Sequence, residues 1–160
     1  MSFSIDLAAF GRELENNLRK LERGILIGAG EELVMRSPVG DPDNWLAKKD
    51  GSYVDFLSVY NVPDGYVGGR FRANWQYGLS VRPLGDLPDI DKTGKVSKDR
   101  IKAGAKQIAV PGNVHYITNN LPYAQKLENG WSHQAPNGMV AITTLNWQRI
   151  ANEQARLINP

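Results

Sequence analysis

The 160-residue chain has no cysteine. That removes disulfide bonds, a thiolate nucleophile and cysteine-ligated zinc together. Histidine is nearly missing as well: there are two, His115 and His133. Neither falls in a His-x-x-x-His or His-Glu-x-x-His spacing, so each reads as a structural or surface residue. No apolar run reaches the roughly 18 residues needed to span a bilayer. The opening "MSFSIDLAAFGRELENN" lacks a basic stretch ahead of an apolar one and does not read as a secretory signal. Excess charge is also absent, because a net +2 is too small to mark a nucleic-acid-binding protein. There is no Gly-x-Ser-x-Gly elbow and no phosphate-binding loop. The glycines from Gly65 to Gly69 precede a strand pattern, the wrong order for cradling phosphate at a helix N-terminus.

What remains is the composition of a water-soluble globular domain, 41% apolar and 22% charged. The length fits one domain, 1–160, with a modest core. Sixteen glycines and nine prolines point to long irregular connections between few regular elements. The expected fold class is α+β: a small antiparallel sheet packed with a long N-terminal helix, a short helix and a C-terminal helix, with long loop insertions.

The pattern predicts a helix over 5–36. Leu7, Phe10, Leu14, Leu18, Leu21 and Ile25 recur at spacings of three and four and share one stripe. Glu15–Arg19 and Glu32–Arg36 are favourable i,i+4 pairs. Gly24, Gly28 and Gly30 either weaken the second half or admit close packing of another element. Pro38 stops the helix. Residues 37–69 contain "SPVGDPDNW" and "NVPDGYVGG" with a short strand, "YVDFLSVYNV", between them, and 40–67 reads as an inserted arm. "FRANWQYGLSV", 71–81, alternates strictly and reads as a strand with Phe71, Ala73, Trp75, Tyr77, Leu79 and Val81 on the core face. Residues 83–106 read as a polar loop. "QIAV" and "NVHYITN" read as a hairpin around Pro111 and Gly112. Asn119 or Asn120 then caps a short helix with Pro122 in its first turn, Tyr123 and Leu127 on its buried face, and Gly130 at its end. A final helix runs over about 139–157.

Acid–base and metal chemistry find little support. Asp41, Asp43, Asp50 and Asp55 lack the spacing of a calcium loop and suit turns instead. Glu128 is a single carboxylate with no partner for proton transfer and reads as a hydrogen-bond acceptor. The one charge concentration is 94–106, where Lys95, Lys98, Arg100, Lys102 and Lys106 face Asp99, a local +4 in a chain of +2. A solvated loop is the default reading, and contact with phosphates or an acidic partner is the alternative.

Three segments, in order, resemble the tail-completion family of long-tailed bacteriophages, also described as head–tail joining or neck proteins. The first is the helix end Ser37-Pro38-Val39. The second is Gly69-Arg70-Phe71-Arg72-Ala73-Asn74-Trp75. The third is "NNLPYAQKLENG", Asn119 to Gly130, followed by Gln134 to Val140, "QAPNGMV". The resemblance covers most of the chain in outline, and its last segment is the most specific. It departs between Val39 and Gly68, where about 28 residues intervene in place of a nearly direct connection. It implies structural or interface roles for Pro38, Gly69, Arg70, Arg72, Trp75, Pro122, Tyr123, Leu127, Glu128 and Gly130. It also implies a non-enzymatic virion protein without cofactor or metal. Such a protein forms a homohexameric ring at the head-proximal end of the tail. Its partners are a tail terminator or tail tube protein, a head-closure or connector protein, and DNA passing through the channel without sequence-specific binding; no membrane is involved. A tail-terminator ring is the nearest rival. A hydrolase acting during infection and a sequence-nonspecific DNA-binding protein represent other classes.

Overall fold

The computed structural model describes residues 3–40, 45–55, 64 and 66–158. Helix α1, Phe3–Arg36, is followed by a hairpin of β1, Leu46–Lys49, and β2, Ser52–Asp55. Then come the single turn α2, Arg70–Ala73, the strand β3, Trp75–Leu79, and helix α3, Lys95–Lys106. Strand β4, His115–Asn119, leads to α4, Ala124–Glu128, α5, Val140–Leu145, and α6, Trp147–Ile158. The fold is α+β, and the described residues form two separate two-stranded antiparallel sheets, β1–β2 and β3–β4. In the second, Trp75 pairs with Asn119 and Leu79 with His115. None of the described helices is long and apolar enough to cross a membrane.

The main core gathers Leu33 and Val34 of α1, Phe71, Trp75, Ile101, Leu121, Leu127, Ala135 and Met139. A smaller cluster joins Leu26 to Ala105 and Ile108. The second half of α1 is therefore the spine on which α3 and α6 lie. Its glycines permit this. A Cβ at Gly24 would strike Gln154, one at Gly28 would strike Ile150, and one at Gly30 would strike Ile101. Close packing is thus the role of this trio.

The first half of α1 is different. Leu7, Phe10, Leu14 and Leu18 are 56%, 62%, 49% and 46% exposed. The expected stripe is present, but only from Leu21 onward does the body begin to cover it. Arg19 does not pair with Glu15; it donates to Ala109 O and Asn16 Oδ1.

Several expected elements are replaced. The 71–81 strand is in fact a helical turn followed by a five-residue strand. Gly69, at φ 107, starts the turn, and Ala73 N donates to Gly69 O. The alternation misleads because Phe71 and Ala73 reach the core from a turn, while the intervening Asn74 is also fully buried. Val81 is exposed. The 83–106 "loop" contains α3, whose buried residues are Ser97, Ile101 and Ala105. One large side chain in three turns leaves almost no apolar periodicity to read. The "QIAV" half of the expected hairpin, 107–110, forms no strand; β4 pairs with β3 instead. The carbonyls of Ile108 and Ala109 are taken by Arg23 and Arg19. The expected last helix is two, broken at Asn146; Thr143 is buried in the first and Ile150 in the second, while Val140 and Trp147 are exposed.

Candidate functional site

Several residues singled out by the resemblance meet at the end of α1. α1 ends at Arg36, and Ser37 Oγ turns back to donate to Leu33 O at 2.7 Å. The same oxygen accepts the indole N–H of Trp75 at 2.6 Å. Arg72 extends its guanidinium across the helix end, donating to Ser37 O, Met35 O and Lys92 O. Orphan carbonyls at a helix C-terminus favour a cation, and burial pushes the Arg72 group down, with nearby Asp91 acting in the opposite direction. Pro38 follows directly and prevents the helix from continuing. Gly69 has no room for a side chain, because a Cβ there would press on the Asp91–Lys92 backbone. Arg70 pairs with Asp86 at the surface, 2.6 Å apart.

Asp91 is the second node. It is buried, and its carboxylate accepts from Gly94 N, Thr93 Oγ1, Ser97 N and Ser97 Oγ. Burial alone would raise its pKa, but the bonds from Ser97, Thr93 and Gly94 outweigh it and hold the group below the usual carboxylate range. An ionised acceptor at the start of α3 is where the helix dipole stabilises negative charge.

Glu128 is the third. Its two oxygens collect the N–H groups of Met139, Val140 and Ala141 at 2.8–3.0 Å, the unpaired donors at the start of α5. Gly130 and Gly138, both at φ 76, make the turns that bring the two segments together. A Cβ at Gly138 would collide with Glu128 itself. Leu127 is buried beneath, while Tyr123 is 37% exposed and stacks obliquely on Phe71. The short helix begins at Ala124, just beyond Pro122, and its N-cap is Tyr123 rather than an asparagine. Asn119 donates to Phe71 O, and Asn120 donates to Pro83 O and Gly85 O. Both asparagines fasten neighbouring segments.

The basic residues divide. Lys95, Lys98, Lys102 and Lys106, at spacings of three and four, share one face of α3. Lys95 bonds to Asp99. Arg100 points the other way: it donates to Ala73 O and Trp75 O and pairs with Asp89. A polar loop would have scattered these charges; the helix aligns four lysines and turns the arginine into a structural brace.

His115 joins two partners: its Nε2 lies 2.8 Å from Glu22 Oε1 and its Nδ1 2.9 Å from the Tyr77 hydroxyl. Glu22 Oε1 also accepts from Gly112 N, while its buried Oε2 has no partner among the described residues. The group borders a groove of about 630 Å³ lined by Leu18, Leu21, Ile25, Leu26, Pro111 and Trp147. His133 Nδ1 lies against Leu46 N, where β1 meets the 131–133 segment. Ala47 is fully buried there, Lys48 N donates to Trp131 O, and Tyr53 OH donates to Gly130 O. Asp50, at φ 49, sits in the β1–β2 turn. Asp41, Asp43, Gly65 and the 56–62 part of the expected strand lie outside the described residues. Among the described residues no group of three or more histidines and carboxylates is arranged to hold a metal ion. Comparison with protein-family models, with curated proteins and with solved structures gives no match.

Proposed function

We propose that this chain is a structural virion protein that forms a ring, a homohexamer, at the head-proximal end of a phage tail and joins the tail to the head connector around the DNA channel. The observation that carries the reading is the junction of the segments around Ser37, Arg72, Trp75 and Asn119. The segments that resemble the tail-completion family, distant in sequence, are built into one another through Trp75–Ser37, Arg72–Ser37 and Asn119–Phe71. Residues spent on internal bracing are what an assembly protein needs; its work lies in surfaces. Two surfaces suit partners: the apolar stripe from Leu7 to Leu18 and the lysine face of α3. The lysines fit weak, unspecific contact with passing DNA or with an acidic patch on an adjoining ring. The chain would reside in the virion neck, and in the host cytoplasm during assembly.

A tail-terminator ring differs only in the neighbour it contacts. Locating the chain in a density map of intact particles decides between them: a position between tail and connector supports tail completion, and a position capping the tube alone supports the terminator. Absence of the chain from purified particles would remove both.

A further inference from the structure

The β3–β4 sheet divides two features that match each other. On one face, Tyr77 and His115 turn toward α1 and Glu22. That side holds the groove between α1, Trp147 and the Pro111–Gly112 turn. Its walls are apolar except for Glu22 and His115, which are bonded to each other, and the buried Glu22 Oε2 has no donor among the described residues. On the other face, Gln76 donates to Gly85 O, and a Cβ at Gly78 would strike Val81 O and the Pro83 ring. The chain folds back tightly there, with Ser80 held at φ 60 and its N–H given to Val114 O. The result is a knuckle, Val81-Arg82-Pro83-Leu84, whose Val81 and Leu84 are 74% and 86% exposed. Arg82 stands exposed between them.

We propose that the occupant of the groove is the 81–84 knuckle of a second copy of this chain. Val81 and Leu84 would meet Leu18, Leu21, Ile25 and Trp147, and Arg82 would reach the Glu22 carboxylate after a turn of that side chain. Apolar residues around one arginine fit apolar walls around one carboxylate, and burial of a paired charge is tolerated where an unpaired one is not. Projection and recess lie on opposite faces of the same sheet. The contact is therefore head-to-tail, and repetition of a head-to-tail contact gives a closed ring or an open filament. This deepens the ring reading and rests on it for closure, though not for the contact itself.

The absence of cysteine makes the test clean. Leu84→Cys and Leu18→Cys alter exposed positions, so each variant should fold, as circular dichroism would verify. Mixed under mild oxidation at high protein concentration, they should form one heterologous cross-linked dimer, while either alone should not self-link. Arg82→Glu should weaken self-association about tenfold or more, and the Arg82→Glu, Glu22→Lys pair should recover part of it. Self-linking of either variant alone, or no mixed cross-link, overturns the contact. The tail reading fails separately: a chain that cross-links as described but is missing from purified particles keeps the contact and loses the tail, and a chain found in the neck without the cross-link does the reverse.

Discussion

The indole N–H of Trp75 donates to the hydroxyl of Ser37 across 38 positions of sequence, 2.6 Å apart and buried. Ser37 in turn closes the last turn of α1 onto Leu33 O. One bond thus ties the start of the central sheet to the end of the long helix. Trp75→Ala is expected to cost roughly 3–5 kcal/mol by cavity formation. Trp75→Phe, which keeps most of the ring but loses the donor, is expected to cost about 0.5–1.5 kcal/mol beyond its packing loss. Urea unfolding measures both, and an unchanged midpoint for the alanine variant would contradict the placement of Trp75 in the core.

Asp91 gives the fold an acid sensitivity. Its folded pKa lies below the usual carboxylate value of 3.8. Such a group contributes stability above its unfolded pKa, and loses it as pH falls through the folded pKa. Asp91→Asn should be destabilised by about 1–3 kcal/mol at pH 7. Its deficit relative to the parent protein should shrink as pH drops below 4. A deficit of constant size from pH 7 to pH 2 would mean that ionisation of Asp91 is not the source.

Glu128→Gln retains shape but offers one neutral carbonyl oxygen to three N–H donors. The start of α5 should loosen, with a loss of roughly 1–2 kcal/mol and faster amide exchange at Met139, Val140 and Ala141. Unaltered exchange at those three amides would show that the cap does not hold the segment.

The basic residues of α3 should separate by experiment. Arg100→Ala removes the brace on Ala73 O and Trp75 O and should destabilise the monomer by about 1–3 kcal/mol. Lys98→Glu with Lys102→Glu should leave the melting temperature nearly unchanged, because neither lysine supports a buried group. If the lysine face meets a partner, the double reversal blocks joining of tails to heads. If it meets the channel, particles form but retain or eject DNA poorly. Normal particles with normal ejection leave the face merely solvated.

Legibility in the sequence followed the density of apolar side chains. α1 was readable because apolar side chains recur at helical spacing from Leu7 to Ile25 and Pro38 marks its end. α3 was not, because its buried face consists of Ser97, Ile101 and Ala105, and a glycine-started, Asp91-capped helix needs little apolar area. Asn74 and Gln76 looked outward by alternation, yet both are buried to pin the 85–87 segment. A satisfied buried amide is indistinguishable in sequence from a solvated one. The acceptor role of Glu128 was legible from its isolation. Its partners, eleven to thirteen positions later, required the two turns at Gly130 and Gly138. That the leucine stripe is half uncovered also escaped periodicity, which marks an apolar face but not what lies against it.

The glycines of α1 have a mechanical consequence. Gly24 and Gly28 meet α6, whereas Gly30 meets α3 from another side. Gripped from two directions at points where only a hydrogen fits, the helix cannot roll about its axis without driving a side chain into one neighbour. The bearing of Leu7, Phe10 and Leu14 is therefore set about 25 Å away, by three residues that have no side chains. A shift of α3 against α6 would swing that far end like the needle of a gauge, and a single alanine at Gly28 or Gly30 would reset its zero.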